Sequence, residues 1–325
     1  MHRSISKISW SLWILMELIF ILTYNCNYRC RYCDIDKRAQ DMKGDILEQS
    51  LSFLKWIDID IKKTKFFGGE PTLMLSSIFY AVEQLSEFSH TGFYLTTNGS
   101  LLTKEILQKM NDAHMRVTLS LDGDEKTTDQ NRVLFGSNAS LYNNILGRIH
   151  GFENTLRVNQ VITPLNVDQM VSNFQHLYSL GFREFNFLPE YYVEWSKDSL
   201  KKLHLGFCHI AELAEQHPIY LVNQENYSPT SFFNVGIVID TDGSIYGTNL
   251  ILAGRFEKYK SILKIGSVFD ENFSLPSGEA LTGYISIIDE CLNREYPRAV
   301  MKSVSYVNQI LSHFTLSYPK WSPHF

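Results

Sequence analysis

Three cysteines lie close together near the start of the chain, in the segment YNCNYRCRYCD that runs from Tyr24 to Asp34. Cys26, Cys30 and Cys33 have the spacing C-x3-C-x2-C. Short spacings of this kind are typical of loops whose thiolates bind an iron–sulfur cluster, usually with four cysteines per cluster. Three cysteines leave one iron open for a substrate or cofactor. A structural zinc site or chance clustering is the alternative, but zinc requires a fourth ligand, and His2 is the only candidate close in sequence.

A second motif, Gly68-Gly69-Glu70-Pro71, closes a strand-like run further along the chain. Two adjacent glycines allow the backbone to approach a ligand closely, and a carboxylate beside them accepts hydrogen bonds from an ammonium group. Pro71 also suits the first turn of a helix, so an ordinary strand-to-helix turn is the alternative. The combination of this motif with the cysteine loop favours a binding site.

The cysteine loop, with Tyr32 before its last cysteine, and the GGEP motif resemble segments of the radical S-adenosylmethionine (radical SAM) family. The resemblance implies one [4Fe–4S] cluster on the three cysteines, with SAM bound to the open iron. An electron from the cluster then cleaves SAM to a 5′-deoxyadenosyl radical, and a donor such as flavodoxin or ferredoxin supplies that electron. In this family Gly68, Gly69 and Glu70 would contact the SAM amino group, and Tyr32 would cover the adenine or the cluster.

Four further residues match positions at which the family contacts SAM. Asn98, Ser120 and Asp122 end two strand-like runs, and such short polar side chains suit ribose hydroxyls. Asn98 and Asp122 each precede glycine, so plain turns are the alternative. Arg132 matches a segment that often reads HDxxR in the peptide- and protein-modifying branch, with Thr128 in place of the histidine. An arginine fork suits a carboxylate such as that of SAM, and a surface salt bridge is the alternative.

Strand-like runs alternate with helical patterns over the first 190 residues. The run Trp10–Thr23 is shorter than the ~20 residues of a membrane span, carries Glu17 and is predicted to be a buried strand that enters the cysteine loop. Further strands are predicted at Ile61–Phe67, Phe93–Thr97, Arg116–Leu121, Leu156–Ile162 and Glu184–Leu188, and helices from Asp45 as cap and at Leu75–Glu87, Lys104–Met110, Leu141–Phe152 and Val167–Leu180. This alternation predicts a partial (β/α)6 TIM-like barrel. The cysteines and the other motifs then lie at the carboxyl ends of its strands.

The pattern changes near residue 190, which predicts a core domain over 1–190 and an extension over 191–325. The extension is predicted to contain a long helix, Ser196–Gln216, a hairpin made by Gly236–Asp240 and Ser244–Gly247, and a last helix, Ala299–Phe314. An Asp-Gly pair in the turn suits a tight hairpin. Glu190, Tyr191 and Tyr192 follow the sixth strand, at a position where they would face a substrate.

The hairpin and the strand Lys264–Val268 resemble the SPASM and twitch extensions, which carry auxiliary iron–sulfur clusters. Those extensions have cysteines near the positions of Asn234 and Gly247, whereas residues 209–290 contain none. Cys208 and Cys291 alone are too few for a cluster, so both are predicted to be free buried cysteines. The resemblance therefore implies a cluster-free α+β substrate platform.

Composition narrows the function further. The chain of 325 residues has 44% hydrophobic residues and a net charge of −5, which gives no sign of a nucleic-acid-binding surface. Five cysteines without a disulfide framework indicate a reducing, cytoplasmic environment. The resemblance implies an enzyme whose substrate is a peptide or protein. A small molecule such as a sugar or nucleoside is one alternative, and a non-catalytic redox sensor is another.

Overall fold

The computed structural model describes residues 17–57, 60–137, 139–224 and 235–317. In chain order the strands of this part are β1 (Glu17–Thr23), β2 (Tyr28–Cys30), β3 (Lys63–Gly68), β4 (Gly92–Thr97), β5 (Arg116–Ser120), β6 (Arg132–Leu134), β7 (Arg157–Ile162), β8 (Glu184–Pro189), β9 (Tyr220–Leu221), β10 (Val235–Ile239), β11 (Ser244–Thr248) and β12 (Lys264–Ser267). The helices are α1 (Gly44–Ile57), α2 (Leu75–Ser86), α3 (Lys104–Asp112), α4 (Glu125–Asn131), α5 (Leu141–Ile149), α6 (Met170–Ser179), α7 (Lys197–Gln216), α8 (Lys260–Leu263), α9 (Gly278–Glu295) and α10 (Arg298–Ser317).

Six parallel strands, β1, β3, β4, β5, β7 and β8, form the centre of one open ten-stranded sheet. They follow one another in chain order, and helices connect them, as right-handed βαβ crossovers require. The predicted partial (β/α)6 barrel is therefore confirmed. Because all connections run the same way, the carboxyl ends of the six strands meet at one edge, where functional loops of such folds converge.

β1 is apolar on both of its faces, and the structure explains why. Leu18 and Phe20 pack into the barrel core, whereas Ile19 and Ile21 pack into a second core under the extension. All four are fully buried. A strand with both faces covered reads as a continuous apolar run, which is the run that the sequence shows.

The extension continues the sheet of the barrel beyond β1. β10 pairs with β1 in parallel, and β11 and β12 follow in antiparallel order. The predicted hairpin is confirmed, and its turn has Gly243 at a φ of +80°, which glycine adopts readily. Residues 10–16 of the predicted first strand and Asn234 lie outside the described residues.

Several elements differ from the sequence expectation. Asp45 does not cap the first helix, because α1 already begins at Gly44 and Asp45 lies in its first turn, where a carboxylate favours the helix dipole. The short ribbon of β2 and β6, the helix α4 and the helix α9 were not predicted. Within the described ranges, none of the helices is both long and apolar enough to span a bilayer.

Candidate active site

The cysteine loop begins where β1 ends and returns to the same strand. The Tyr24 amide donates to Gln40 O over 2.8 Å, and the Met42 amide donates to Leu22 O over 2.8 Å. The Thr23 hydroxyl donates to Asp41 Oδ1 over 2.5 Å. These bonds close the segment between residues 24 and 41 against the carboxyl end of β1.

The three cysteines occupy three different places in this loop, and none forms a disulfide. Cys26 is buried, and its Sγ accepts a hydrogen bond from the Tyr28 amide over 3.4 Å. Cys30 ends β2, and a tight turn in which the Cys33 amide donates to Cys30 O over 3.2 Å carries the chain to the third cysteine. The sequence-predicted ligands are thus brought together by one loop.

The surroundings of the thiols fit a cluster. Burial raises the pKa of Cys26 to about 11 and also raises that of Cys30, while the cations of Arg132 and Lys37 act on Cys30 in the opposite direction. A coordinated metal deprotonates a thiol outright, and these cations then lie beside the negative charge.

The chemistry of the candidate ligands bears on the kind of metal centre. Three thiols lie on one loop and none is in a disulfide. Among the described residues, no group of three His, Cys, Asp or Glu side chains is arranged to hold a single metal ion. Cysteine thiolates are the ligands of iron–sulfur clusters, so this set of donors suits a [4Fe–4S] cluster by its chemistry.

Gly68 and Gly69 are required by the approach of the cysteine loop itself. Gly68 has a φ of +142°, and a Cβ on it would lie 2.2 Å from Thr23 O. A Cβ on Gly69 would lie 2.1 Å from Asn25 O. The Gly69 amide donates to Thr23 O over 2.7 Å. The two glycines therefore dock the end of β3 against the start of the loop.

Glu70 uses its carboxylate inside the protein. Oε1 accepts hydrogen bonds from the Thr72 amide (3.0 Å), the Thr72 hydroxyl (2.6 Å) and the Thr97 hydroxyl (2.6 Å). Oε2 accepts a bond from the Asn98 amide over 2.7 Å. Glu70 is only 1% exposed, and burial raises its pKa although all four donors oppose that shift. The side chain joins the end of β3 to the end of β4.

Asn98 in turn holds the cysteine loop. Its Nδ2 donates to Asn27 Oδ1 over 2.9 Å, and Asn27 Nδ2 donates to the Ser100 hydroxyl over 2.8 Å. Its Oδ1 accepts from the Ser100 amide over 2.9 Å. Asn27 and Ser100 were not singled out from the sequence. Their signal was their position, since one lies between two cysteines and the other directly follows Asn98-Gly99.

Tyr32, Asp122 and Arg132 form one polar group, in which Arg132 lies opposite Cys30 in the ribbon of β2 and β6. Asp122 is fully buried and accepts from the Tyr32 hydroxyl over 2.9 Å and from Arg132 Nη2 over 2.9 Å. The Arg132 guanidinium lies 5.3 Å from the centre of the Tyr32 ring. Asp122 Oδ1 also accepts from the Val161 amide of β7 over 3.2 Å. Arg132 is thus buried rather than on the surface. Among the described residues its Nε has no hydrogen-bond partner, so this donor remains available to a ligand.

Ser120 and Thr128 take different places. Ser120 ends β5, is partly exposed, and its hydroxyl has no hydrogen-bond partner among the described residues, so it is free to meet a ligand. Thr128, at the histidine position of the family segment, is fully buried and donates to Gly123 O over 3.2 Å. It belongs to the packing of α4.

Glu190, Tyr191 and Tyr192 follow β8 at the same edge as the cysteines. Burial and, to a smaller extent, the negative charge of Asp34 raise the pKa of Glu190 to about 7. Tyr192 has a φ of +61° and stacks on Tyr296 with ring centres 4.5 Å apart. The Tyr191 hydroxyl donates to Asn308 Oδ1 over 2.6 Å.

The extension contacts the cysteine loop directly. Asp240, which is buried, accepts from the Tyr24 hydroxyl over 3.0 Å and from Lys260 Nζ over 3.0 Å. Gln40 Nε2 donates to the Thr241 hydroxyl over 2.6 Å. These contacts begin at Tyr24, two residues before the first cysteine, and the sequence did not predict them.

A tyrosine packs against Gly247 in the hairpin. A Cβ on Gly247 would lie 2.5 Å from a ring carbon of Tyr284, whose hydroxyl accepts from the Gly247 amide over 2.9 Å. Cys291 is buried in the second core, as predicted, whereas Cys208 lies on α7, is only partly buried and has His204 Nε2 3.9 Å from its sulfur.

Comparison with known families and proteins gives matches along most of the chain. The profile described as "Radical SAM superfamily" matches residues 20–186, just over half of the chain. An S-adenosylmethionine-dependent nucleotide dehydratase of Flammeovirga pacifica is 25% identical over 273 residues, which cover 78% of this chain and 88% of that protein. A GTP 3′,8-cyclase of Aliarcobacter butzleri is 37% identical over 114 residues, 34% of this chain and 35% of that protein.

Two solved structures share the fold at low sequence identity. Native anSMEcpe with bound AdoMet and the Cp18Cys peptide has a TM-score of 0.67 and 16% identity, with 86% of this chain and 81% of that chain covered. Streptococcus suis SuiB bound to the precursor peptide SuiA has a TM-score of 0.56 and 13% identity, with 90% and 67% covered. Because 86% and 90% of this chain are covered, the similarity in fold includes residues beyond the barrel.

Proposed function

Because this chain belongs to the radical SAM superfamily, whose members use a [4Fe–4S] cluster and SAM, we propose that it is an enzyme that abstracts a hydrogen atom from a peptide or protein. When bound, the cluster and SAM supply a 5′-deoxyadenosyl radical. The observation that carries the proposal is the closure of one three-cysteine loop onto the carboxyl ends of the barrel strands. In barrels of this kind, the active site is built at the carboxyl ends of the strands.

Cys26, Cys30 and Cys33 hold the cluster through their thiolates in this proposal. SAM would be held at the strand ends by the backbone at Gly68 and Gly69 and by the partly exposed Ser120 hydroxyl. This revises the roles expected from the sequence for other residues. We assign Glu70, Asn98, Asp122 and Arg132 chiefly to positioning, because most of their polar groups bond to the strand ends, to the loop or to each other.

Water exclusion is the second task of these residues. The site residues Glu70, Asn98, Asp122 and Arg132 are each less than a tenth exposed, and together they line the strand ends with protein donors and acceptors. Tyr32 adds an aromatic ring held by Asp122. A closed, pre-organised site protects reactive intermediates from side reactions, which a carbon radical requires.

The extension serves as a substrate platform without a second cluster. Tyr284 fills the place beside Gly247, and Cys208 and Cys291 lie on different helices. Without an auxiliary cluster to receive an electron from the product, redox-neutral or reductive chemistry, such as epimerisation, fits better than oxidation. We place the working division near residue 190, with the barrel as the radical-generating part and residues 191–325 as the platform.

Two features support a peptide or protein substrate. The segment that ends in Arg132 and the hairpin of β10 and β11 both resemble the peptide- and protein-modifying branch. The solved structures of anSMEcpe and SuiB that share the fold of this chain were determined with peptides bound. The electron donor in this proposal is a carrier such as flavodoxin or ferredoxin.

A nucleotide is the second candidate substrate, and it rests on different observations. The nucleotide dehydratase aligns with this chain over 88% of its own length, and its name specifies a nucleotide substrate. At the site, Arg255 lies 4.6 Å from the ring of Tyr296, and cations beside aromatic rings suit phosphates and bases. This candidate would make the platform a small-molecule site.

Stimulation of SAM cleavage separates the two candidates. Reconstituted enzyme with SAM and dithionite would be incubated either with peptides encoded beside its gene, deuterated at their α-carbons and side chains, or with deuterated nucleotides. The proposal predicts that a peptide raises 5′-deoxyadenosine formation and transfers deuterium into it. Deuterium transfer from nucleotides alone would replace the peptide by the second candidate.

A further inference from the structure

We propose that the outer face of the β2–β6 ribbon is the docking surface for an acidic electron-carrier protein. The ribbon joins Tyr28–Cys30 to Arg132–Leu134 in antiparallel register. This inference rests on the proposed function, because it takes Cys30 as a ligand of the cluster. It adds the place where the reducing electron enters the protein.

The two faces of the ribbon carry different chemistry. Cys30 lies opposite Arg132 in the ribbon, and Tyr28 lies opposite Leu134. Tyr28 is 1% exposed and Arg132 is 6% exposed, so this face points into the protein. Since successive side chains of a strand alternate between faces, the remaining pair, Arg29 and Val133, points outward.

The outward face combines cations with exposed apolar side chains. Val133 is 38% exposed and Phe135, directly after β6, is 68% exposed. The Arg29 guanidinium lies 4.5 Å from the centre of the Phe135 ring, and its Nη1 donates to Cys26 O over 2.7 Å. Arg31 is exposed, and its side chain has no partner among the described residues. Arginine and aromatic side chains are the groups enriched at the centres of protein interfaces.

The charge of the ribbon points to an acidic partner. The whole chain has a net charge of −5, yet neither β2 nor β6 contains an aspartate or glutamate. Arg132 is neutralised internally by Asp122, which leaves Arg29 and Arg31 as the outward cations. A local cationic patch on an acidic protein steers an acidic partner to that patch and repels it elsewhere.

An electron carrier is the acidic partner that this position fits. The outer residues are separated from Cys30 by a single layer of backbone, because inner and outer side chains share the same two strands. A carrier on the opposite edge of the barrel would be separated from the cysteines by the whole length of the strands. The backbone of the loop is also fixed there by Arg29, so docking does not need to open it.

The test compares two reductants on the same variants. Reconstituted wild type and the variants Arg31→Glu and Phe135→Ser would be reduced anaerobically either by flavodoxin hydroquinone or by dithionite, with cluster reduction followed by absorbance. We expect each variant to slow flavodoxin-driven reduction about tenfold at low ionic strength, and Arg31→Glu to weaken its salt dependence. Dithionite-driven reduction and 5′-deoxyadenosine formation should stay within about twofold of wild type, as a small reductant needs no docking surface. Lys201→Glu, an exposed charge reversal on α7, is the matched control and should leave both rates unchanged.

Three outcomes would overturn the docking surface. One is unchanged flavodoxin-driven reduction in both variants. Another is an equal loss of the reduction rate with both reductants, which would show that Arg31 and Phe135 are needed for an intact cluster. A third is a change only in substrate KM or in oligomeric state, which would assign the face to the substrate or to a second copy. Failure of wild type to form 5′-deoxyadenosine with dithionite would contradict the proposed function instead. Binding of flavodoxin to wild type and to Arg31→Glu, measured without turnover, tests docking even then.

Discussion

Glu70 shows that a motif residue recognised in the sequence also has a structural task. A carboxylate beside two glycines suggests a partner for the SAM amino group. In the fold its two oxygens accept four hydrogen bonds from Thr72, Thr97 and Asn98. Oε1 is saturated, and Oε2 retains one free acceptor direction. In the function that we propose, the residue acts on the cofactor mainly through the backbone that it positions.

Removal of this carboxylate should destabilise the protein. Glu70→Ala leaves buried donors of three residues without an acceptor, and we expect a loss of about 3 kcal/mol or more in the free energy of unfolding. Chemical denaturation of the cluster-free protein measures it, with the exposed Glu83→Ala as control, expected within about 0.5 kcal/mol of wild type. Unchanged stability with loss of SAM binding would instead show a direct contact to SAM.

Glu190 gives a prediction for pH dependence. Its pKa in the folded protein is raised to about 7 by burial and by Asp34, above the value of about 4.3 in an unfolded chain. Folding therefore takes up a proton between these values, and stability falls as pH rises through that window. Glu190→Gln should flatten this slope in urea denaturation of the cluster-free protein from pH 5 to about 7. The exposed Glu194→Gln is the control, and an unchanged slope in Glu190→Gln would show that this carboxyl is not the source.

Sequence patterns located the site residues but not their partners. Cysteine spacing and glycine motifs are local, so Cys26, Gly68 and Asp122 stood out from the sequence alone. The bonds from Asn27 to Asn98 and Ser100 join residues about seventy positions apart. Asparagine and serine are frequent in turns, so nothing local distinguishes a pair that holds a cysteine loop.

At the scale of elements, the short strands were not predicted because each is too short to show a pattern of alternating polar and apolar residues. β2 and β6 have three residues each, fewer than an alternation of buried and exposed residues needs to be recognised. The helix α9 is a different case. Leu281, Tyr284, Ile288, Cys291 and Leu292 are buried at helical spacing, so the sequence contained a signal for it.

The contact between the extension and the cysteine loop gives a prediction at this scale. Lys260→Met leaves the buried Asp240 without its cation, and we expect a loss of about 3 kcal/mol in unfolding free energy. Tyr24→Phe removes one hydrogen bond to the same carboxylate and should cost about 1 kcal/mol.

Denaturation of each variant and of the double variant Asp240→Asn/Lys260→Met measures these effects. The double variant should recover part of the loss, because it removes both charges together. A loss below about 0.5 kcal/mol in Lys260→Met, the range of ordinary surface substitutions, would show that Lys260 is not needed to compensate the buried carboxylate.

At the scale of the whole molecule, the alternation of strands and helices was sufficient to predict the barrel. Each βαβ unit has only one favourable handedness, which limits the arrangements that six alternating strands and their helices can adopt. The attachment of the hairpin to β1 was not predictable in this way. It depends on the second apolar face of β1, and the apolar run alone does not say which element covers that face.

One cluster per molecule is the corresponding prediction. Anaerobically reconstituted protein should bind about four irons per chain, the content of one [4Fe–4S] cluster. The double variant Cys208→Ser/Cys291→Ser should bind the same amount, because these are the two cysteines that the sequence has outside the loop and they lie on different helices. Iron and sulfide analysis measures this, and about eight irons per chain would contradict a single cluster.

The most direct test of the central claim is SAM cleavage by the isolated protein. Reconstituted enzyme with SAM and dithionite under anaerobic conditions should form 5′-deoxyadenosine, detected by mass spectrometry, even as slow turnover without substrate. Replacement of Cys26, Cys30 and Cys33 by alanine should abolish it. No 5′-deoxyadenosine from fully reconstituted wild type, or equal amounts from the alanine variant, would contradict the assignment of this loop as the centre of radical formation.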